Sequence, residues 1–326
     1  MPAQACSHIL PLEDNQSSAD PLGKGKKLQI LTIGEILWDV FDHAEFLGGA
    51  PLNFSVAAQR LGNNVALVTA VGDDPRGRRA VESMSALGLS THFVQVLPGQ
   101  ETATAQVTTD HNGNASFFIK RPAAFDEFLL DDERVLAIQN LHPEWVYFGT
   151  LAQSYPPAEI KLERILRCLP GVKCFYDVNL RDGHWNLPLV QRLSGLASIL
   201  KLNETEAETL FQLTRPSWKF SLEDFCRHWS STYGIEIICV TLGSEGCAIF
   251  SEDALQRFVG FSVTVADTVG AGDAFAAAFL HGHDAEWPIA RIAAFANSLG
   301  ALVASREGAT PAWTIDECRL LMTAQN

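Results

Sequence analysis

Short apolar segments alternate with amphipathic segments of helical periodicity along most of the chain, and this alternation constrains the fold more than any other feature. The first strands are predicted at residues 28–33 and 64–71, with a helix at 51–61 between them. The pattern resumes near residue 145 and continues to a helix predicted at 288–304. Alternation of this kind predicts an α/β fold with a mostly parallel central sheet and helices on both faces.

Residues 91–120 interrupt this rhythm, because they have the pattern of consecutive β-hairpins. Strands and turns are predicted in the order 93–97, Pro98-Gly99, 102–109, Asn112-Gly113 and 116–120. The segment is too short for an independent domain. We therefore expect a small sheet that projects from the main body as a lid, as a dimer contact or as both. A plain antiparallel extension of the main sheet is the alternative.

The composition fits one large domain, which we expect to span residues 27–326 after a polar tail at 1–26. A formal net charge of -14 argues against nucleic acid or an anionic membrane as the main partner. No apolar run is long enough to span a membrane, and no secretory signal is visible. The seven cysteines are scattered without a CxxC pair, which favours reduced thiols and a cytoplasmic protein.

The segment 267–275, with the sequence DTVGAGDAF, carries the strongest chemical signal. A strand is predicted before it, at 258–265, and a helix after it. Glycines at such a turn let the backbone approach a ligand, and the first N–H groups of the helix attract anions. Asp273 lies in that first turn, where a carboxylate makes chemical sense if it takes a proton from a hydroxyl beside a phosphate. A tight glycine turn with Asp273 as a helix-terminal residue is the alternative.

Two other nucleotide-binding patterns are excluded for this segment. Phe275 stands where a dinucleotide-binding fingerprint needs its third glycine, and no Gly-Lys-Ser/Thr follows as in a phosphate-binding P-loop. An NAD-dependent oxidoreductase therefore lacks its fingerprint.

The segment 267–275 closely resembles the second signature of the PfkB, or ribokinase-like, family of carbohydrate kinases. Residues 48–62, with the sequence GGAPLNFSVAAQRLG, resemble the first signature. The resemblance extends over residues 28–311. It implies a three-layer α/β/α fold with a mostly parallel sheet and a small β-lid over the sugar, formed by about 36–47 and 91–122. It also implies ATP and Mg²⁺, with Asp273 as the catalytic base beside an anion hole of Gly270, Ala271 and Gly272.

The sugar-binding residues implied by the resemblance are Asp39, Gly49 and Asn53. Asp39 follows the first strand, at the edge where open α/β sheets bind ligands. Gly49 permits backbone contact, and the amide of Asn53 can donate to and accept from a hydroxyl. An asparagine cap and a solvated aspartate are the alternative interpretations.

Residues 177–181, with the sequence DVNLR, resemble a segment of fructokinase-like family members. Asn179 and Arg181 could contact the sugar or the transferring phosphoryl group, because arginine matches phosphate geometry. Alternatively, Arg181 only pairs with a nearby acid.

On the nucleotide side, the resemblance implies ATP contacts from Asn203, Thr241, Gly243, Gly246 and Asn297. Glu206 completes an NxxE motif and would hold Mg²⁺ largely through water. The alternative is that its charge merely favours a helix N-terminus.

Family members often respond to a monovalent cation. Here Asp267 could supply a carboxylate oxygen to K⁺, and the loop at 305–308 could supply carbonyl groups.

Fructose is the expected acceptor, but one segment departs from the FYRxPxAD form usual in fructokinases. In residues 117–126, Lys120 stands at the arginine position and Phe125 at the acidic one. Tagatose, an aldohexose, ribose and 2-keto-3-deoxygluconate therefore stay open, as does a catalytically silent, sugar-sensing relative.

A homodimer joined through the lids is the expected assembly. The hairpin segment is too small to bury its own apolar residues, namely Phe93, Val94, Val96, Val107, Phe117, Phe118 and Ile119.

Overall fold

The computed structural model of the protein describes residues 27–41, 43–109, 115–156 and 158–324, without the side chains at 107–109, 115–117, 158 and 159. The predicted tail at 1–26, the Asn112-Gly113 turn and the side chains of Val107 and Phe117 lie outside this description. In the described part, none of the helices is long and apolar enough to cross a membrane. All six cysteines there are free thiols.

The described chain forms thirteen strands. They are β1 (Gln29–Ile33), β2 (Leu37–Val40), β3 (Glu45–Gly48), β4 (Asn64–Gly72), β5 (Val94–Leu97), β6 (Ala103–Thr109), β7 (Ala115–Ile119), β8 (Trp145–Gly149), β9 (Lys173–Asp177), β10 (Ile199–Asn203), β11 (Ile237–Thr241), β12 (Gly246–Ser251) and β13 (Ala254–Val259).

Eleven α-helices connect and cover them. They are α1 (Ala50–Arg60), α2 (Pro75–Ala86), α3 (Asp132–Asn140), α4 (Thr150–Gln153), α5 (Ala158–Arg167), α6 (Leu187–Ser194), α7 (Glu204–Thr214), α8 (Leu222–Tyr233), α9 (Ala271–Asp284), α10 (Ile289–Ala304) and α11 (Ile315–Ala324). Short 3₁₀ turns lie at Ala124–Asp126 and Gly243–Glu245.

Nine strands form the central sheet in the order β13-β12-β11-β10-β9-β8-β1-β4-β5. All pairs are parallel except the two that involve β12. Two apolar cores lie on its two faces: Leu31 and Val146 belong to one, and Ile30 and Tyr147 to the other. The near-continuous apolar runs of the central strands follow from this double coverage. The predicted mostly parallel sheet covered by helices is confirmed.

A separate four-stranded sheet has the order β3-β2-β6-β7 and forms the lid. Asp39 of β2 stands opposite Phe46 and Ala105, and Ala105 stands opposite Ile119, so these four residues share one face. On that face Ala105 and Ile119 are buried, and they pack with Leu151 of α4 beneath the lid. The lid therefore packs over α4, the short helix that follows β8.

The prediction that residues 93–97 belong to the lid hairpins is wrong. This strand, β5, pairs in parallel with β4 at the edge of the central sheet. The reason is burial: Val94 packs on the core beneath α2, and Phe93 and Leu97 pack on one of the two main cores. The other two strands of the lid, β2 and β3, come from residues 37–48, close to the predicted segment 36–47.

A second difference concerns the approach to the 267–275 segment. The strand predicted at 258–265 ends at Val259, where it lies antiparallel to β12, and an irregular segment leads from there to α9. This segment is attached to the end of α10 instead of to a neighbouring strand. The N–H groups of Ala266 and Asp267 both donate to the carbonyl of Ala304.

Candidate active site

The carboxyl ends of the parallel strands bring the candidate residues to one edge of the sheet. Asp177 ends β9, Asn203 ends β10 and Thr241 ends β11. The β1–β2 connection, the lid and the N-terminus of α9 converge on the same edge.

In the turn before α9, the backbone of Gly270 lies very close to the backbone of another segment. Gly270 is the N-cap with φ 78°, and no side chain caps the helix. A Cβ atom at Gly270 would lie 2.1 Å from the carbonyl oxygen of Ala309. Glycine is therefore required here for both conformation and space. Since the first N–H groups of a helix have no intrahelical acceptor, the N-terminus of α9 can receive an anion such as a phosphate.

Asp273 lies in the first turn of α9 and is buried. Its Oδ2 accepts a hydrogen bond from Asn53 Nδ2 at 2.9 Å. Burial raises the pKa of Asp273 to about 6, and the charge of Asp177 adds to this, while Lys201, Asn53 and Arg181 lower it. The carboxylate is therefore mostly ionised at neutral pH, with a proton affinity suited to a general base.

Lys201 and Tyr147 also belong to the site, and the sequence analysis missed both. The Lys201 ammonium lies 3.0 and 2.9 Å from the two carboxylate oxygens of Asp177, and Tyr147 Oη donates to Asp177 at 3.0 Å. Lys201 is 7% exposed and stands 3.0 Å from where a Cβ of Gly272 would be. A lysine inside the apolar strand Ile-Leu-Lys-Leu was the available signal, because buried lysines need a partner.

The charge of Arg181 acts on three carboxyl groups of the candidate site. Its charge lowers the pKa of Glu35, of Asp39 and of Asp273. For Asp39, burial outweighs this effect and raises the pKa to about 6. The structure thus brings Asp39, Asn53, Asp273 and Arg181 together, and their contacts with a ligand stay predictions.

Gly49 begins the turn into α1 with φ 117°. A Cβ there would lie 2.4 Å from the carbonyl oxygen of Glu35, so the two loops touch through their backbones. This contact places Asn53, one helical turn later, next to Asp273.

Glu206 joins two neighbouring loops. Its Oε1 accepts from the N–H of Leu180 at 2.7 Å, and its Oε2 accepts from the N–H of Asn203 at 2.8 Å. Asn203 Oδ1 accepts from the N–H of Glu206 in return, which completes a capping box. The loop that Glu206 fixes includes Asn179, which adopts φ 39°. A water-mediated role in Mg²⁺ binding stays a prediction.

The predicted ATP residues lie around the β11–β12 turn and α10. Gly243 and Gly246 take positive φ angles of 59° and 102° in the turn after Thr241. Asn297 Nδ2 donates to the carbonyl groups of Phe258 and Val259 at 3.4 and 3.2 Å. Asn297 thereby fixes β13 against α10, and contacts of these four residues with ATP stay predictions.

Asp267 connects the two segments that were predicted to hold K⁺. Its Oδ1 accepts from Val269 N at 3.0 Å and its Oδ2 from Gly308 N at 3.2 Å. Within the described ranges, no group of three or more His, Cys, Asp or Glu side chains could hold a metal ion. A cation held by Asp267 would therefore need backbone, water or substrate oxygens as its other ligands.

Near the lid, an arginine–carboxylate pair lies one residue beyond the motif positions. Lys120 is exposed and pairs with Glu101, while Phe125 is buried. Arg121, in contrast, binds both oxygens of Asp126 and donates to Leu151 O at 3.0 Å. Neither Arg121 nor Asp126 was singled out from the sequence, because the motif register pointed to their neighbours.

Comparison with known proteins agrees with this geometry. A fructokinase of Escherichia coli is 30% identical over 280 residues, which cover 81% of this chain and 88% of that protein. A fructokinase with bound ATP from Xylella fastidiosa has TM-score 0.78 at 22% identity, covering 91% of this chain and 99% of its own.

A further fold match is a Vibrio cholerae fructokinase double mutant bound to fructose, ADP and potassium ion. It has TM-score 0.76 at 24% identity and covers 92% of this chain and 100% of its own. The profile of the pfkB family of carbohydrate kinases matches residues 30–316. The chain therefore belongs to the pfkB family and is an ATP-dependent carbohydrate kinase.

Proposed function

We propose that this kinase transfers the γ-phosphoryl group of ATP to a primary hydroxyl of a neutral sugar, with fructose as the preferred acceptor. The proposal rests on the position and the surroundings of Asp273. A buried carboxylate, held by Asn53 at 2.9 Å, stands in the first turn of a helix whose N-terminus can receive phosphate.

Asp273 is assigned as the base that accepts the proton of the attacking hydroxyl. Asn53 orients its carboxylate, and Gly49 and Asp39 contact the sugar beneath the lid. The N–H groups of Gly270, Ala271 and Gly272 stabilise negative charge on the phosphoryl oxygens. Lys201 adds positive charge beside that turn, since its ammonium lies next to Gly272. Arg181 and Asn179 border the same space after β9.

The nucleotide is assigned to the turn after β11 and to α10, with Thr241, Gly243, Gly246, Asn203 and Asn297 as its contacts. Glu206 fits a water-mediated Mg²⁺ site because it sits beneath the loops after β9 and β10. Bound Mg²⁺ supplies charge neutralisation on the phosphates. Asp267, joined to the Gly308 loop, fits a K⁺ site that orders the turn before α9.

Fructose is favoured by the curated relatives and by the charge of the site. The Escherichia coli relative at 30% identity is a fructokinase. Glu35, Asp39 and Asp273 concentrate carboxyl groups around Arg181, which disfavours the carboxylate of an acceptor such as 2-keto-3-deoxygluconate. Tagatose, ribose and aldohexoses remain the neutral alternatives. Free buried cysteines and a need for ATP favour the cytoplasm as the working compartment.

The test is ADP release with MgATP and a panel of fructose, tagatose, ribose, glucose and 2-keto-3-deoxygluconate. We expect fructose to give the highest kcat/KM and the sugar acid the lowest among them. A higher kcat/KM for another panel member would overturn fructose, and sugar-independent ADP release would overturn the acceptor assignment itself.

A further inference from the structure

One carboxyl oxygen of Glu35 is buried and accepts no hydrogen bond from the described residues. The residue lies in the β1–β2 connection and is 4% exposed. Its Oε2 is fully shielded and has no hydrogen-bond partner among the residues that the structure describes. Asn53 Oδ1 is also buried and has no hydrogen-bond partner within the described ranges. Buried polar atoms are nearly always paired, so an unpartnered oxygen on Glu35 and another on Asn53 each indicate a polar ligand.

The backbone contacts of Glu35 place it at the sugar side of the site. Its carbonyl oxygen adjoins Gly49, in the turn that leads to Asn53 and hence to Asp273. The charges of Arg181, Arg121 and Asp273 all act on its carboxyl group. Glu35 is therefore surrounded by the residues assigned to the sugar and to the base, rather than by those on the nucleotide side.

Arg121 does not account for the unpartnered oxygen. Arg121 commits its guanidinium to Asp126, Leu151 O and Ser154 Oγ. Burial raises the pKa of Glu35 to about 7, against the lowering effects of its own backbone N–H, of Arg181 and of Arg121. Around neutral pH the group can therefore donate or accept, and a sugar hydroxyl can bind either form.

We propose that Glu35 is a substrate-binding residue whose Oε2 forms a hydrogen bond with a sugar hydroxyl other than the one that Asp273 deprotonates. This inference rests on the proposed sugar kinase function. It identifies the acceptor more closely: the sugar must present a second hydroxyl to Glu35 while its primary hydroxyl faces Asp273. A sugar without that second hydroxyl leaves the carboxyl oxygen unpartnered and binds more weakly.

The test uses Glu35→Ala and the isosteric Glu35→Gln, with the exposed Glu82→Gln on α2 as the matched control. KM and kcat are measured for fructose, for ATP and for the 1-, 3- and 4-deoxy analogues of fructose. We expect Glu35→Ala to raise the fructose KM about tenfold or more, and to change the ATP KM less than about twofold. Glu35→Gln should give a smaller rise, and Glu82→Gln none.

The deoxy analogues separate binding from a structural role. For one analogue, the wild type should already show the weaker binding, and Glu35→Ala should add less than about twofold. An equal loss for every acceptor, or an unchanged fructose KM in folded Glu35→Ala, would overturn the inference. Failure of the wild type to phosphorylate any sugar would instead reject the proposed function, so the two failures are distinguishable.

Discussion

Asn53 donates a hydrogen bond of 2.9 Å to Asp273, although 220 residues separate them in the chain. Asn53 belongs to the first glycine-rich segment and Asp273 to the second, so this bond joins the two sequence signatures in space. It orients the carboxylate and leaves Asn53 Oδ1 available within the site.

Asp273→Asn should retain ATP binding and lose turnover by about 10²–10⁴-fold, because the amide cannot take the proton of the attacking hydroxyl. ATP binding is measured by calorimetry and turnover by ADP release with fructose. Near-normal turnover in this variant would contradict the assignment of the base.

Lys201→Met should destabilise the protein by about 3–5 kcal/mol, because it leaves the buried Asp177 carboxylate without its ion-pair partner. In the double variant Asp177→Asn/Lys201→Met part of this loss should return. Chemical denaturation measures both free energies. If the single substitution proved neutral, the ion pair would not be the support that its geometry indicates.

The pH dependence of kcat/KM should show an acid limb near pH 6, because the pKa of Asp273 is raised to about 6 and its base form is lost below that value. Asp39, with its pKa also raised to about 6, contributes to the same limb through sugar binding. Asp39→Asn should leave the limb in kcat at saturating sugar. A profile flat down to pH 4.5 would exclude Asp273 as a titrating base.

Glu35→Gln should change the pH dependence of folding stability. Burial raises the pKa of Glu35 from 4.5 to about 7, so its stabilising contribution is complete below pH 4.5 and is lost as the pH rises through about 7. At pH 8 the ionised, buried carboxylate costs the wild type about 3 kcal/mol relative to pH 4. The variant should therefore gain stability relative to the wild type between these pH values, as urea denaturation can measure.

Potassium should raise kcat if Asp267 and the Gly308 loop hold the cation. The measurement compares KCl with tetramethylammonium chloride at matched ionic strength, and Asp267→Asn should remove the difference. Equal rates of the wild type in the two salts would eliminate this site.

A homodimer through the lids should appear in light scattering as about twice the 35.6 kDa of the chain. The lid exposes Phe46 by 50% and Phe118 by 71%, on opposite faces of its sheet. Phe118→Ser should weaken the dimer, whereas Leu320→Ser, equally exposed on α11, should not. A monomer mass at micromolar concentration would reject this assembly.

Much of the fold could be predicted because its determinants are local. Apolar runs and amphipathic periods predicted the strands and helices of the central sheet, and the two glycine-rich segments predicted the candidate site. Residues 93–97 were assigned to the wrong sheet because a short apolar strand carries no information about its partner; the core beneath α2 decides it.

Long-range contacts explain what the sequence could not reveal at the site. The role of Lys201 is recognisable only from its ion pair with Asp177. The role of Arg121 is recognisable only from its contacts with Asp126 and Leu151. A one-residue shift of register was enough to direct attention to Lys120 and Phe125 instead. Glu35 was overlooked for a similar reason, since a carboxyl group is conspicuous only when its burial is known.

The contact between Gly270 and Ala309 has a consequence for the order in which the enzyme matures during synthesis. The turn that can receive phosphate is supported by a carbonyl group almost forty residues later, and Gly308 binds Asp267 in the same loop. A nascent chain stalled before residue 309 has made both glycine-rich segments but lacks this support. The turn before α9 therefore gains the backbone support of Gly308 and Ala309 only after both glycine-rich segments have been synthesised.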